Sequence, residues 1–380
     1  MIPLAIPNLA GNEARYLAEC VATNFVSTVG PFVGRFEGHV AAASGARGAV
    51  ATSCGTTGLH VALVALGVRR DDLVIVPSFT FIATANAVSH AGATPWLVDV
   101  HPDTWTLDPQ RLSDALDRET VRGEDGKLVH ASTGRRVSAI VVVHTFGTPA
   151  DMDEISAIAQ AHGLSLVSDA AAALGADYKG RPIARLGADL TMFSFNGNKT
   201  VTAGGGGAVA GDDEDVLATI RHLSTTARVG ANYDHDEIGF NYRMTNLQAA
   251  VGCAQMEMLE RFVRRKRAIR RAYDEGLSDI DVVAPFPEPA WAESACWFSG
   301  FVTDPETADR VRAALNADGI DARPTWKPMH LQSPYAGAPR SNVSVSDRIW
   351  RQIVTLPCST SITDDELDVV VRAVRRELLQ

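Results

Sequence analysis

Short apolar runs alternate with longer helix-like stretches from about residue 45 to residue 210. The runs Gly48–Thr52, Leu73–Pro77, Pro95–Val100, Ser138–His144, Leu164–Asp169, Leu190–Phe195 and Gly207–Ala210 read as buried strands. Between several of them lie helical patterns at Leu59–Leu66, Phe81–Ala91 and Met152–His162. Such alternation predicts right-handed crossovers and a mostly parallel α/β sheet covered on both faces. Ligands of such sheets bind beyond the carboxyl ends of the strands. Asp169, Lys199 and the Ser53–Gly58 turn would all project from that edge.

Two stretches break the pattern. Residues 118 to 136 are polar, charged and aperiodic, and are expected to form a surface hairpin or loop before the next core strand. From Thr245 to about Glu275 the periodicity is that of one long helix, apolar at its start (Leu247, Ala250, Val251, Ala254, Met256, Leu259). It ends in a basic run: Arg261, Arg264, Arg265, Lys266, Arg267, Arg270 and Arg271. Cations at a helix C-terminus complement its dipole, so a solvated helix is expected there rather than a nucleic-acid contact. Past residue 280, a strand at Cys296–Val302 and helices at Glu306–Asp318 and Asp364–Leu379 indicate a compact α+β unit, begun by Pro285-Phe286-Pro287-Glu288-Pro289. The expected organisation is a large α/β domain over residues 1–245, then a linking helix and a small C-terminal α+β domain over 246–380.

At 380 residues the chain is long for a single core, which agrees with that division. The formal net charge of −10 excludes a polyanion-binding face as the main business of the molecule. No apolar run is long enough to span a bilayer, and the first seven residues lack a signal-peptide pattern, so a cytoplasmic protein is expected. The five cysteines are scattered without a C-x-x-C pair, and the histidines show no ligand spacing. Reduced thiols and no metal are expected.

Lys199 sits in Phe193-Ser194-Phe195-Asn196-Gly197-Asn198-Lys199-Thr200, with four glycines (Gly204 to Gly207) close behind. Asp169 ends an apolar run about thirty residues upstream. An acid at one strand end and a lysine past a later one are what a pyridoxal phosphate (PLP) enzyme requires. The lysine joins the cofactor as a Schiff base, and the acid pairs with the pyridinium nitrogen. A lone aspartate is usually a solvated strand end. Here Ser168-Asp169-Ala170-Ala171-Ala172-Ala173 leaves a buried strand, and ionisation there needs a cationic partner. The rival reading of Gly197-Asn198-Lys199-Thr200 as a nucleotide-binding loop fails on spacing, since no glycine directly precedes the lysine. Ala51-Thr52-Ser53-Cys54-Gly55-Thr56-Thr57-Gly58 runs from a strand into a helix. Alone it could be a plain turn capped by Ser53 or Thr56; beside Lys199 and Asp169, an anion cradle is favoured.

Several long motifs occur in order: Thr80 to Val88, Ala91 to Pro95, Gly147 to Asp153, Ser194 to Lys199, and Gly239 to Ala250. With them the chain resembles the sugar aminotransferases of the DegT/DnrJ/StrS type over nearly its whole length. Trp105-Thr106-Leu107-Asp108-Pro109, Phe195-Asn196-Gly197-Asn198-Lys199 and Arg323 to His330 resemble the branch serving bacillosamine- and legionaminic-type pathways.

The resemblance implies a fold-type-I, aspartate-aminotransferase-like architecture and PLP as cofactor. Lys199 would be the Schiff-base and catalytic lysine, and Asp169 the pyridinium partner. Phe81 would stack on the cofactor ring, and Gly55, Thr56 and Ser194 would hold its phosphate. Asn241 would reach the phosphate of the neighbouring subunit in a homodimer, and Lys327 and His330 would border the sugar-nucleotide pocket. The implied reaction moves an amino group from L-glutamate to a UDP-linked 6-deoxy-4-keto-N-acetylhexosamine for surface-glycan synthesis. A dTDP- or GDP-linked 3- or 4-keto sugar, or a non-catalytic sugar-nucleotide-binding regulator, is the alternative. One departure stands out: the family usually has Gln, Glu or His three residues after the aspartate, where this chain has Ala172.

Overall fold

A computed structural model describes residues 1–379. Seven strands form the main sheet: β1 Gly48–Thr52, β2 Leu73–Pro77, β3 Thr94–Val98, β4 Val137–Val143, β5 Ser165–Asp169, β6 Leu190–Ser194 and β7 Gly207–Gly211. Their order is β1-β7-β6-β5-β4-β2-β3. Only β7 runs against its neighbours; every other contact in the sheet is parallel. The mostly parallel α/β sheet expected from the alternation is present. The reversal at β7 goes with its connection from β6, residues 195–206, which contains no crossover helix.

Alternate residues of the central strands enter opposite layers, as the two-residue period of a strand dictates. Ile75, Ile140, Val142 and Leu166 pack with Phe36, Val40, Ala249 and Ala250 on one face. Val74, Val76, Val141, Val167 and Met192 pack with Leu59, Leu63, Ala85 and Val88 on the other. A second core joins Phe301, Val311, Leu315, Ile353, Val370 and Val374 of the C-terminal unit, whose small sheet pairs Ser299–Val302 with Ile353–Leu356. Packing crosses residue 245 in both directions. Helix Asn246–Met256 contributes Ala249, Ala250, Cys253 and Ala254 to the main-sheet core, whereas Leu4 packs in the C-terminal one.

The polar 118–136 stretch is a hairpin, Thr120–Arg122 against Leu128–His130. The single long helix expected over 245–275 is two, Asn246–Met256 and Leu259–Gly276. The break comes at Met258 (φ −103°, ψ −3°), next to Glu257, whose carboxylate is held by Tyr16 (2.6 Å), Asn12 (2.7 Å) and Arg35 (2.6 Å). Nor is the basic run wholly solvated. Arg261, Arg264 and Arg271 are exposed, but Lys266 and Arg270 are buried because that face of the helix packs on the C-terminal unit. All five cysteines are unpaired. Among the described residues, no helix is long and apolar enough to cross a membrane.

Candidate active site

A cavity of about 610 Å³ opens at the carboxyl ends of β1, β4, β5 and β6. Helix Gly55–Ala65 points its N-terminus into it. The cap is Cys54, not Ser53 or Thr56: its Sγ accepts from the Thr57 N–H at 3.5 Å, while the Thr57 Oγ1 accepts from the Cys54 N–H at 3.2 Å. Gly55 and Thr56, the first two helical residues, keep N–H groups that the helix itself cannot satisfy. A Cβ at Gly55 would lie 3.0 Å from the Ser194 Cβ and 3.4 Å from its Oγ. The glycine thus lets the Ser194 hydroxyl and the helix tip share one small concavity, which suits a phosphate.

Asp169 ends β5 and is 5% exposed. Its Oδ2 accepts from the Thr84 hydroxyl at 2.7 Å, and its Oδ1 from the Ala171 N–H at 3.1 Å. Burial raises its pKa, while these bonds and the charge of Lys199 pull the other way. Among the described residues no cation stands within ion-pair distance of it, so the carboxylate lacks a counter-charge. Lys199 lies past β6 with its Nζ 3.6 Å above the centre of the Trp297 ring. Desolvation pushes its pKa down to about 8, opposed by Asp169 and assisted by the charge of Lys266. An amine near neutrality is a nucleophile and a proton carrier in one group.

The structure brings Gly55, Thr56, Phe81, Asp169, Ser194 and Lys199 to one cavity. Phe81 stands at the N-cap of helix Ile82–His90 and is 55% exposed in the cavity lining. Three expected residues lie elsewhere in the chain's structure. Lys327 is exposed and outside the lining. His330 is buried away from the cavity, its Nδ1 2.7 Å from the Ser78 Oγ and its Nε2 2.9 Å from Asp347, so it clips elements together rather than bordering the pocket. The residues of that segment that do line it are Arg323, Pro324, Thr325 and Trp326. Asn241 is exposed, although its neighbour Tyr242 accepts from the Ser53 N–H at 2.6 Å, which lays the segment along the cradle.

Sequence reasoning missed Trp297, Thr84 and His144. Trp297 also donates from Nε1 to the Asn198 carbonyl at 2.7 Å, tying the C-terminal unit to the lysine loop. His144 follows β4, lines the cavity and is held neutral by burial, its pKa lowered to about 3. Only its place at a strand's carboxyl end could have drawn notice.

The model of the DegT/DnrJ/EryC1/StrS aminotransferase family matches residues 7–375. The chain belongs to that family. It is 36% identical to the GDP-perosamine synthase of Caulobacter vibrioides, over all of this chain and 98% of that protein. It is 35% identical to the putative pyridoxal phosphate-dependent aminotransferase EpsN of Bacillus subtilis, over 98% and 95% of the two. Among solved structures, the aminotransferase TlmJ of Streptoalloteichus hindustanus superposes with a TM-score of 0.90 at 28% identity, covering 100% of this chain and 99% of that one. The protein is thus a fold-type-I, PLP-dependent sugar aminotransferase. The residues fit the cofactor on their own terms: a buried carboxylate without a counter-charge, a cradle that a Cβ at Gly55 would narrow, and an amine of depressed basicity.

Proposed function

We propose that the protein moves an amino group from L-glutamate to the keto carbon of a nucleotide-linked 6-deoxy sugar, giving an amino sugar for a bacterial surface glycan. The observation that carries the reading is Lys199, its basicity depressed and its amine resting on Trp297, in one cavity with the buried Asp169. The bound cofactor would supply the electron sink. Asp169, whose ionised form the Thr84 hydroxyl favours against the effect of burial, would hold its ring nitrogen protonated. Phe81 would cover the ring, and Gly55, Thr56 and Ser194 would anchor the phosphate. Lys199, displaced by the incoming amine, would carry a proton between the donor carbon and the cofactor, and its lowered basicity suits a group that must both take and give it. Ala172 leaves one polar contact of related enzymes unfilled, worth roughly 0.5–1.5 kcal/mol.

The relative named GDP-perosamine synthase favours a GDP-linked 4-keto sugar over the UDP-linked N-acetylhexosamine of the bacillosamine branch. The motif Arg323 to His330 favours the latter. We place the GDP-linked substrate first. Asn241 would complete the phosphate site of a partner protomer. The test loads the yellow holoenzyme with an amino group from glutamate, which bleaches it, and then offers GDP-, UDP- and dTDP-linked 3- and 4-keto sugars in turn. Return of colour with one of them identifies the acceptor. A protein that glutamate never bleaches is a binding regulator and ends the proposal.

A further inference from the structure

One buried charge stands behind the site rather than in its lining. Lys266, in helix Leu259–Gly276, is 2% exposed, and among the described residues no carboxylate comes within ion-pair distance of it. Its Nζ donates to the Cys358 carbonyl at 2.6 Å and to the Trp297 carbonyl at 2.9 Å, with the Cys358 Sγ at 3.5 Å. The other side of Trp297 is the floor under Lys199: its ring centre lies 3.6 Å from the Lys199 Nζ, and its Nε1 donates to the carbonyl of Asn198. Lys266 and Lys199 therefore meet through a single residue, one on its backbone and one on its ring.

We propose that Lys266 is a positioning residue for Lys199, bracing the indole on which the reactive amine rests and setting a like charge behind it. This inference rests on the proposed role of Lys199. Bracing alone does not explain the choice of residue, because a neutral amide could donate to both carbonyls without a desolvated charge, whose burial is costly. The charge has a use where it stands. Asp169, facing Lys199 from the end of β5, favours the protonated amine; Lys266 opposes it, in the same direction as desolvation. His144, Asp321 and Arg323 line the cavity around Lys199, Asp321 and Arg323 neutralising each other in a two-bond ion pair at 2.8 Å. Around Lys266 itself stand the Cys358 thiol and, along its own helix, Arg270 and Tyr273, which turn to the carbonyls of Phe298 and Pro357. None of these cancels the charge.

The test compares Lys266→Gln, which keeps two N–H donors and loses the charge, with Lys266→Arg, which keeps both. In cofactor-stripped protein, acylation of Lys199 by acetic anhydride is followed against pH by peptide mass spectrometry. The native midpoint is expected near 8. It should rise by about half a unit or more in Lys266→Gln and stay near the native value in Lys266→Arg. An unmoved midpoint in folded Lys266→Gln overturns the proposal. If that variant does not fold, Lys266→Met, with no polar group to bury, is read the same way. Should neither uncharged variant fold while Lys266→Arg does, the residue is a structural brace and the proposal falls. Adding PLP to the native protein serves as the control. A Lys199 still open to acylation would overturn the reading of the site itself, whereas a protected Lys199 with an unmoved midpoint overturns this inference alone.

Discussion

Lys199 illustrates how a reactive group costs the fold that holds it. Its folded-state pKa is about 8 against an ordinary 10.5, so the unfolded chain binds that proton more tightly. Between those values the unfolded state carries the extra proton, and the lysine's contribution to stability grows as pH rises. Lys199→Met escapes the penalty. We expect the cofactor-free variant to melt above the native protein at pH 7, the gap closing as pH climbs from about 8 towards 10.5. A gap independent of pH would show that the amine is not desolvated. Thr84 makes the opposite case, a support whose loss is felt at once. In Thr84→Val the Asp169 Oδ2 loses its 2.7 Å donor, the carboxylate becomes harder to keep ionised, and its hold on a pyridinium weakens. A bond to a charged group is worth about 1.5–3 kcal/mol, so PLP affinity, titrated by its visible absorbance, should fall roughly 10- to 100-fold. Asp169 and Lys199 were legible in the sequence because strand ends in this architecture face the ligand. Thr84 was not, since nothing in Ala83-Thr84-Ala85 tells a buried donor from a helix filler. Trp297, nearly a hundred residues from Lys199, meets it only through the tertiary fold. Lys327 and His330 mark the complementary failure: a motif selects a segment but not which of its side chains turn inward.

At the scale of elements, the cradle depends on how closely β7 lies beneath the first turn of helix Gly55–Ala65. A Cβ at Gly207 would fall 2.5 Å from the backbone carbon and oxygen of Cys54 and 2.6 Å from the Gly55 nitrogen. Those are backbone atoms of the helix start, and they cannot rotate aside. Gly207→Ala should therefore push the helix tip away from Ser194, costing about 1–3 kcal/mol by denaturant midpoint and loosening the cofactor phosphate. Gly197→Ala, ten residues earlier in open space, is the control and should change neither. The strands were legible to within a residue or two because a buried parallel strand is a plain apolar run. The helix break beside Glu257 was not, because the residues that hold Glu257 there, Tyr16, Asn12 and Arg35, lie more than two hundred residues away in the chain. The basic run concealed its buried face for a related reason. Charged residues at helical spacing read as solvated unless the surface packed against them, here the carbonyls of Trp297, Phe298 and Cys358, is already known.

For the whole molecule, the chain lines the cavity and also leaves apolar residues exposed on its surface. Leu9, Val21, Val29 and Ile238 are each more than half exposed, and Asn241 faces outward from the segment that follows Ile238. We propose that these faces are covered by a second copy, and that the division near residue 245 separates the sheet that carries the cofactor from the unit that carries Trp297 and Arg323 to it. Subunit mixing tests the first proposal directly. Lys199→Ala removes the nucleophile from its own site but keeps Asn241 to lend; Asn241→Ala keeps Lys199 and lends nothing. If Asn241 acts across a two-fold interface, each mixed dimer holds one site with both residues intact and one with neither. Random reassortment makes half the dimers mixed, so about a quarter of the native number of sites should return. Should Asn241 act within its own protomer, every site in the mixture lacks one residue or the other. Mixing then yields only the average of the two variants, and the segment after Ile238 serves its own cradle alone.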